Sequence, residues 1–323
     1  MDALARRKAR AAERKRLQQR DAKRKTQRKL LFAALAVALV VTGVIFLVVS
    51  MVNSALSASA AAAEEEAVAL EEARTNNPFR SPKAAIQLAL QPFSQFYFYE
   101  EERSQRYLDF QLANPDMSAE QVVVRVNVDL DKEVYSVVTP TPEPDSILAL
   151  VGKHFSLPYD YEPANLTSFG DIHLRTEVIG PLGQMLEHAQ ADGLVLSLSS
   201  GYRSAPTQEG LYSGYVDILG NDWAEAQSSR PCHSEHQLGL VIDFGPTDYQ
   251  FYGTSEAYWL KEHAHEHGFI VRYTEENSDI TLYIHEPWHI RYVGEEAAAI
   301  IHKENIGSFE EYWVKYVQHS PKQ

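Results

Sequence analysis

The first part of the chain shows the strongest contrast between polar and apolar positions. Residues 1–29 are strongly polar, and residues 30–52 then run for 23 positions without a charged side chain. A helix of that length spans about 34 Å at 1.5 Å per residue, which is enough to cross a hydrocarbon core of about 30 Å. Residues 53–78 are rich in Ala and Glu, which is typical of a helical spacer. The pattern predicts a basic segment (1–29), a transmembrane signal anchor (30–52) and a stalk (53–78).

Beyond residue 78 the apolar positions follow helical spacing in some segments and strand spacing in others. Helices are predicted over residues 81–90, 101–112, 172–192 (with a kink or break at Gly180-Pro181), 255–267 (closed by Gly268) and 295–305. Strands are predicted over residues 121–130, 194–199, 269–273 and 280–284. Because the elements mix without a regular βαβ alternation, we expect an α+β fold, with a small antiparallel or mixed sheet and flanking helices. A Pro-rich break separates an accessory part (79–145) from a main domain (146–323).

The charge distribution agrees with a membrane anchor. Residues 1–29 carry 13 Lys or Arg and 3 Asp or Glu, whereas the rest of the chain carries 17 basic and 41 acidic side chains. The positive-inside rule places the basic segment in the cytoplasm and the body outside, as a single-pass cell-membrane protein. The acidic body would repel phosphates, so no nucleic acid is expected as a partner. A cleaved signal peptide is the alternative, although its apolar core usually has 7–15 residues.

Two segments near the C-terminus carry metal-binding chemistry. The first reads Ser234-Glu-His236-Gln-Leu-Gly-Leu-Val-Ile-Asp243, and the second reads Glu286-Pro-Trp-His289. Together they supply two histidines, one aspartate and a spare glutamate. A catalytic zinc needs three protein ligands, an open position for water and a carboxylate that takes the proton of that water. The two segments therefore predict a zinc site with its general base.

The second segment also matches H-E-x-x-H over residues 285–289, a motif in which both histidines bind zinc from one face of a helix. Pro287 in the interior of such a helix would cost about 3 kcal/mol, and residues 280–284 before it have the pattern of a strand. We therefore reject the helical arrangement. His289 is assigned to the metal and Glu286 to the base, while His285 is expected outside the ligand set.

Other polar residues are ambiguous when taken alone. Arg203 follows a predicted strand and a turn, where its guanidinium could bind a carboxylate through two parallel hydrogen bonds. A surface arginine would give the same sequence pattern. His263 and His267 would share a helix face and could bind a metal, although a solvated face is favoured. The single cysteine, Cys232, excludes an intrachain disulfide and is expected to be a bystander rather than a ligand or a reactive thiol.

Taken together, these segments resemble the VanY-type D-alanyl-D-alanine carboxypeptidases, LAS-type zinc peptidases of bacterial cell-wall metabolism. The resemblance covers roughly two thirds of the chain. It departs from the usual family pattern at Val241, Cys232 and Thr281-Leu-Tyr283, and none of these departures removes a ligand. The matching motifs are Ser-Gly-Tyr-Arg-Ser over 200–204 with Gln208, Ser234-x-His236-x-x-Gly239-x-x-x-Asp243, Gly268-Phe-Ile-x-Arg-Tyr273 and Glu286-Pro-Trp-His289-x-Arg-Tyr292.

The resemblance implies a complete catalytic site. Zn²⁺ would be bound by His236, Asp243 and His289, with Glu286 as the general base and then the acid that protonates the leaving amine. Arg203 would stabilise the substrate or the developing oxyanion. The remaining residues expected to contact substrate are Ser234, Gln208 and Tyr202.

The expected function is therefore a zinc-dependent D,D-carboxypeptidase that removes the C-terminal D-alanine from peptidoglycan stem peptides outside the cell. Residues 146–323 would be its catalytic domain. One alternative has the same zinc chemistry but cleaves a different bond: the protein would be an L,D-carboxypeptidase acting on tetrapeptide stems or a cross-link endopeptidase. The sequence does not separate these activities, because specificity depends on loop shape. Another alternative is a non-catalytic cell-wall-binding protein, against which the intact Glu286 argues.

Overall fold

The structure is a computed structural model, and it describes Thr42, Leu47 and residues 82–319. The chain divides into two compact units, Met1–Ala85 and Ile86–Gln323. The predicted basic segment, signal anchor and stalk lie outside the described residues, apart from Thr42 and Leu47. Within the described part of the chain, no helix is both long enough and apolar enough to cross a membrane.

The described residues form ten α-helices and eight strands, with shorter helical turns between them. The helices are α1 (Pro82–Ser94), α2 (Ser104–Ala113), α3 (Ala119–Asn127), α4 (Thr176–Ala191), α5 (Ala205–Leu219), α6 (Asn221–Gln227), α7 (Ser255–His263), α8 (Ser278–Thr281), α9 (Glu295–Lys303) and α10 (Phe309–Tyr312). The strands are β1 (Thr139–Pro140), β2 (Phe155–Ser156), β3 (Leu166–Phe169), β4 (Ile172–Arg175), β5 (Leu198–Ser200), β6 (Val241–Phe244), β7 (Phe269–Tyr273) and β8 (Glu286–Tyr292). The 3₁₀ turns are Glu101–Arg103, Glu235–Leu238, Tyr249–Phe251, Ala264–His267 and Glu275–Asn277, and Trp313–Gln318 is a π-helix.

A four-stranded sheet in the order β5-β6-β8-β7 is the main sheet of the second unit. All three of its strand pairs are antiparallel. Two small sheets accompany it, a parallel pair β1–β2 and an antiparallel pair β3–β4. Small sheets with helices packed around them make the fold α+β, as the sequence predicted.

Two buried apolar clusters stabilise the second unit. In one, Leu240, Ile242 and Phe244 pack together with apolar residues of α4 and α7. The other cluster joins the valines of α3 to Phe309 and other residues near the C-terminus. That cluster contains residues from both sides of the predicted boundary at residue 145.

Most of the predicted helices and strand 269–273 are confirmed, but the strand predicted over residues 121–130 is wrong. The segment forms α3 instead, and its start is a capping box in which Ser118 and Gln121 satisfy each other's backbone N–H groups. Val122, Val123 and Val126 are fully buried in the second cluster. Burial against tertiary neighbours therefore outweighs the preference of β-branched residues for strands.

Two further predicted elements differ from the structure. The strand predicted over residues 280–284 is wrong, because α8 ends there and Leu282 takes the left-handed conformation at φ 64°. The helix predicted over residues 172–192 begins later, since its first residues form β4, and α4 then continues through Pro181 as one helix. The strand predicted over residues 194–199 is shorter and later, at β5.

Gly268 ends the helical segment 255–267, as predicted, and its substitution is expected to destabilise the protein. Its φ is +80°, and a Cβ would lie 2.9 Å from Tyr292 Cε2 and 3.0 Å from the backbone nitrogen of Glu295. A left-handed L-residue costs about 1–2 kcal/mol, and the contacts add to this cost. Gly268→Ala should therefore lower the free energy of unfolding, measured by chemical denaturation, by more than that amount. Gly193→Ala is the matched control, because Gly193 has φ +82° with nothing within 4 Å, and equal losses in the two variants would contradict the steric argument.

Candidate active site

The register of the main sheet brings the two predicted metal-binding segments together. Asp243 on β6 is the direct cross-strand partner of His289 on β8. Directly opposed residues of antiparallel strands have Cβ atoms about 4.5–5.5 Å apart, so both side chains reach one point. Glu286 begins β8, in a strand rather than a helix, and the rejection of the helical H-E-x-x-H arrangement is confirmed.

His236 reaches the same point from a 3₁₀ turn, Glu235–Leu238, that precedes β6. Ser234 caps this turn, because its hydroxyl accepts a hydrogen bond from the His236 backbone N–H at 3.4 Å. Gly239 ends it in the left-handed conformation at φ 66°. A Cβ there would lie 2.9 Å from Leu166 Cδ2, so both the backbone and the space at this position favour glycine.

The three predicted ligands converge at a buried site. Asp243 Oδ2 lies 3.0 Å from His236 Nε2, and Asp243 Oδ1 lies 3.0 Å from His289 Nδ1. One potential ligand atom from each of the three residues lies within 4.8 Å of the others, and all three residues are buried. The fold therefore brings together the three side chains that were predicted from the sequence to bind the metal.

The contacts of each imidazole show which of its ring nitrogens faces Asp243. His236 Nδ1 lies 2.6 Å from the Gly201 carbonyl oxygen, which can only accept, so Nδ1 carries the proton and Nε2 presents its lone pair. His289 Nε2 lies 3.5 Å from Glu235 Oε2, so its Nδ1 points at Asp243. Asp243 Oδ1 is buried without a hydrogen-bond partner. Two imidazole nitrogens and a carboxylate oxygen directed at one another form a donor set that fits Zn²⁺.

The charges of the site support the same assignment. Burial opposes protonation of His289, but its contacts with the carboxylates of Asp243 and Glu235 outweigh burial and raise the pKa of His289 to about 9. Burial also opposes ionisation of Asp243, yet His236 and His289 hold the pKa of that carboxyl well below its usual range. The carboxylates thus stabilise positive charge at this point. A metal ion would displace the proton of His289 and take over that charge.

Glu286 lies beside the three predicted ligands but is not a member of their cluster. Its Oε2 is 3.7 Å from His289 Nδ1, and its side chain is 13% exposed. Burial raises the pKa of Glu286 to about 7, against the lowering effect of His289. A carboxyl group with a pKa near neutrality can accept a proton and return it, which is the behaviour expected of a general base and acid.

Arg203 faces the ligands from the loop after β5. Its Nη2 lies 3.8 Å from Asp243 Oδ2 and donates to Ser200 Oγ at 2.9 Å, while its Nη1 donates to Gln208 Oε1 at 2.8 Å. Gln208 is in turn held by its own donation to the Ser229 carbonyl at 2.7 Å. These contacts fix the guanidinium at the edge of the site. Gln208 and Ser234 both line the cleft around the site. Gln208 also holds Arg203, and Ser234 also caps the turn that carries His236.

The ligands lie in a cleft of about 520 Å³. Aromatic side chains form much of its wall, which gives flat apolar surface around the polar ligands. The aromatic residues are Tyr215, Trp223, Tyr249, Tyr252, Tyr273, Tyr283 and Trp288.

Glu235 lies in the wall of the cleft beside His289, and the sequence analysis did not single it out. Its side chain is fully buried, and its Oε1 accepts hydrogen bonds from Arg272 Nε at 3.0 Å and Arg291 Nη1 at 2.9 Å. Burial opposes ionisation, but the two arginines hold the pKa of Glu235 well below its usual range. Glu310 pairs with the other side of Arg272 at 2.6 Å. A signal was present in the sequence, since two arginines within apolar strands require buried anionic partners.

Several predicted residues lie elsewhere. Tyr202 is not among the residues that line the cleft, and its hydroxyl donates to Glu162 Oε2 at 3.4 Å, so its contact with substrate stays a prediction. His285 lies outside the ligand group, as expected. Cys232 is partly buried and is not among the described side chains that could hold a metal.

Comparisons with known proteins agree with this geometry. A family model for VanY, D-alanyl-D-alanine carboxypeptidase, matches residues 171–295, which include the three predicted ligands, Glu286 and Arg203. The putative carboxypeptidase YodJ of Bacillus subtilis (strain 168) is 36% identical over 188 residues, which cover 53% of this chain and 68% of that protein. A D-alanyl-D-alanine carboxypeptidase of Enterococcus faecalis (strain ATCC 700802 / V583) is 34% identical over 177 residues, which cover 51% of this chain and 65% of that protein.

A solved structure supports the same relationship. The structure of the LdcB LD-carboxypeptidase matches with a TM-score of 0.51 at 34% sequence identity, covering 57% of this chain and 94% of that one. The chain spans about two thirds of the length of the two curated relatives. It belongs to the VanY-type D-alanyl-D-alanine carboxypeptidase family, so the resemblance read from the sequence motifs is confirmed.

Proposed function

We propose that this protein is a zinc-dependent carboxypeptidase that removes the C-terminal D-alanine from peptidoglycan stem peptides. The observation that carries the proposal is the convergence of His236, Asp243 and His289 in one cleft, with Glu286 and Arg203 beside them. His236 Nε2, His289 Nδ1 and an Asp243 carboxylate oxygen would hold the metal. When bound, Zn²⁺ supplies Lewis-acid polarisation of the scissile carbonyl and lowers the pKa of a water in the site to about 7.

The protein side chains then divide the remaining chemistry. Glu286 accepts a proton from the attacking water and delivers it to the nitrogen of the departing D-alanine, so that the proton is conserved. Arg203 donates N–H groups to the oxygen on which negative charge develops, or to the carboxylate at the substrate C-terminus. Its orientation is held by Ser200 and Gln208, so little reorganisation is needed during the reaction.

A second specificity has a definite observation in its favour. The solved structure that shares 34% identity is that of an LD-carboxypeptidase, whereas the Enterococcus faecalis relative is a D-alanyl-D-alanine carboxypeptidase. The ligands and the base are compatible with both reactions, because both release a C-terminal D-alanine and the substrates differ on the other side of the scissile bond. An L,D-carboxypeptidase acting on tetrapeptide stems is therefore the second candidate function.

The location that we propose rests on the sequence. Residues 30–52 are apolar and long enough to cross a bilayer, and the basic residues 1–29 precede them. This arrangement would place the cleft outside the cell membrane, on the side where peptidoglycan lies.

The proposal is tested by incubating the zinc-loaded full-length protein with muramyl pentapeptide or tetrapeptide and reading the products by mass spectrometry. We expect the pentapeptide to lose one alanine and a chelator to abolish the loss. Trimming of the tetrapeptide alone would assign the protein to the L,D class. Binding of either peptide without release of any residue would contradict an enzymatic role and favour a cell-wall-binding protein.

A further inference from the structure

A second group of metal-binding side chains lies apart from the catalytic cleft. His188, Glu266 and His267 offer ligand atoms that all lie within 4.8 Å of one another. None of the three lines the catalytic cleft. The sequence suggested a pairing of His263 with His267, but His267 is paired instead with His188, which is 79 positions away in the chain.

The separations suit a single cation. His188 Nδ1 lies 3.0 Å from His267 Nε2, and it lies 3.8 Å from Glu266 Oε2. Zn–N bonds of about 2.0–2.1 Å place two ligand nitrogens of one ion about 2.9–3.4 Å apart, depending on the coordination geometry. The two imidazoles therefore already stand at the separation that a shared ion requires. The other carboxylate oxygen of Glu266 is held by His263 Nδ1 at 3.0 Å.

The second ring nitrogen of His188 also has the environment of a metal ligand. His188 Nε2 faces Asp192 Oδ2 at 3.7 Å. That carboxylate is positioned by the Trp259 indole N–H, which donates to it at 2.7 Å. Histidines that bind metals commonly direct their other nitrogen at a carboxylate, which orients the ring and raises its basicity as a ligand. Asp192 is placed to act in this way.

The backbone favours a cation at the same place. His188 lies in the last turn of α4, and His267 is the last residue of the 3₁₀ turn Ala264–His267 that continues α7. Carbonyl groups at the C-terminal ends of helices carry partial negative charge, which attracts positive charge. Two helical C-termini and the carboxylates of Glu266 and Asp192 therefore surround the two imidazoles.

We propose that His188, Glu266 and His267 form a second metal site, which binds a divalent transition-metal cation such as Zn²⁺ and links the end of α4 to the turn after α7. Two imidazoles and one carboxylate are ligands that Zn²⁺ accepts. Glu266 is 44% exposed and His188 35% exposed, so the ion can enter from solvent. This site is independent of the proposed activity.

The test counts zinc on the full-length protein by calorimetric titration after chelator treatment and removal of any affinity tag. We expect two equivalents for the wild type and one for His267→Gln. Asp243→Asn, which disrupts the catalytic ligands, should retain the second equivalent. His302→Gln is the control, because His302 is an exposed histidine outside both ligand groups, and it should retain two equivalents.

The outcomes separate cleanly. If His267→Gln does not fold, His188→Gln replaces it with the same expected stoichiometry. A single equivalent on the wild type that Asp243→Asn loses would overturn the second site, and so would two equivalents on the variant lacking His267 or His188. If Asp243→Asn bound no zinc, the second site would likewise be refuted, whatever the catalytic activity of the wild type.

Discussion

Replacing Glu286 with glutamine is expected to lower turnover of the peptide substrate by about 10²–10⁴-fold, or roughly 3–5 kcal/mol in activation free energy. Glutamine keeps the shape of the side chain but cannot accept the proton of the attacking water or deliver it to the leaving amine. Glu286 is not one of the three ligands, and its nearest oxygen lies 3.7 Å from His289 Nδ1. The variant should therefore keep its zinc and its fold.

The measurements are the kcat of alanine release, the zinc content and the far-UV circular dichroism of the same preparation. Glu275→Gln is the matched control, because Glu275 is 81% exposed, and removing its charge should leave turnover near the wild-type value. Wild-type turnover in Glu286→Gln would refute the general-base assignment. Loss of zinc from that variant would instead show that Glu286 is needed for metal binding.

Replacing Glu235 is expected to produce the largest loss of stability. Glu235→Leu would leave the guanidiniums of Arg272 and Arg291 buried, with Glu310 as the one carboxylate among the described residues that still pairs with Arg272. Removing one partner from a buried ion pair costs about 3–5 kcal/mol, which is a large part of the roughly 5–15 kcal/mol that stabilises a typical domain. Chemical denaturation of the zinc-free protein would measure this loss.

Glu235 also faces His289, and Glu235→Gln tests this contact separately from the ion pairs with Arg272 and Arg291. The amide keeps the volume of the side chain, but it no longer supplies a carboxylate 3.5 Å from His289 Nε2. Loss of such a partner typically weakens metal binding by 10–100-fold, and competition with a chromophoric chelator would measure it. Asp279→Asn is the control for the stability measurement on Glu235→Leu. Asp279 forms an exposed ion pair with Arg125, and its replacement should change the free energy of unfolding by less than about 1 kcal/mol. Unchanged zinc affinity in Glu235→Gln would refute its role in positioning His289.

Local chemistry explains which predictions were confirmed. His236, Asp243, Glu286 and His289 were predicted to come together because a catalytic zinc would need this combination of side chains, and the fold does bring them together. Pro287 excluded a helical motif for a reason that holds in any context, namely the missing backbone N–H and the ring clash. Gly268 was predicted to end a helix because glycine adopts the left-handed conformation readily.

The failed predictions involved segments whose structure depends on distant partners. Residues 121–130 alternate like a strand, but their valines are buried in a cluster shared with residues near 309, and periodicity within ten residues carries no information about that cluster. Residues 280–284 have the pattern of a strand because Ile280 and Tyr283 are buried against other parts of the fold. The backbone nevertheless turns at Leu282, so the segment is not a strand.

The sequence by itself determined the family of this protein and the side chains predicted to be its metal ligands and base, because these depend on which side chains are present and how they are spaced. The tertiary structure alone decided how those groups are supported. The β6–β8 register opposes Asp243 to His289, the buried arginines hold Glu235 against His289, and the approach of α4 to the turn after α7 pairs His188 with His267. Each of these contacts joins residues far apart in the chain, and they exist only when burial of the two apolar clusters folds the chain around them.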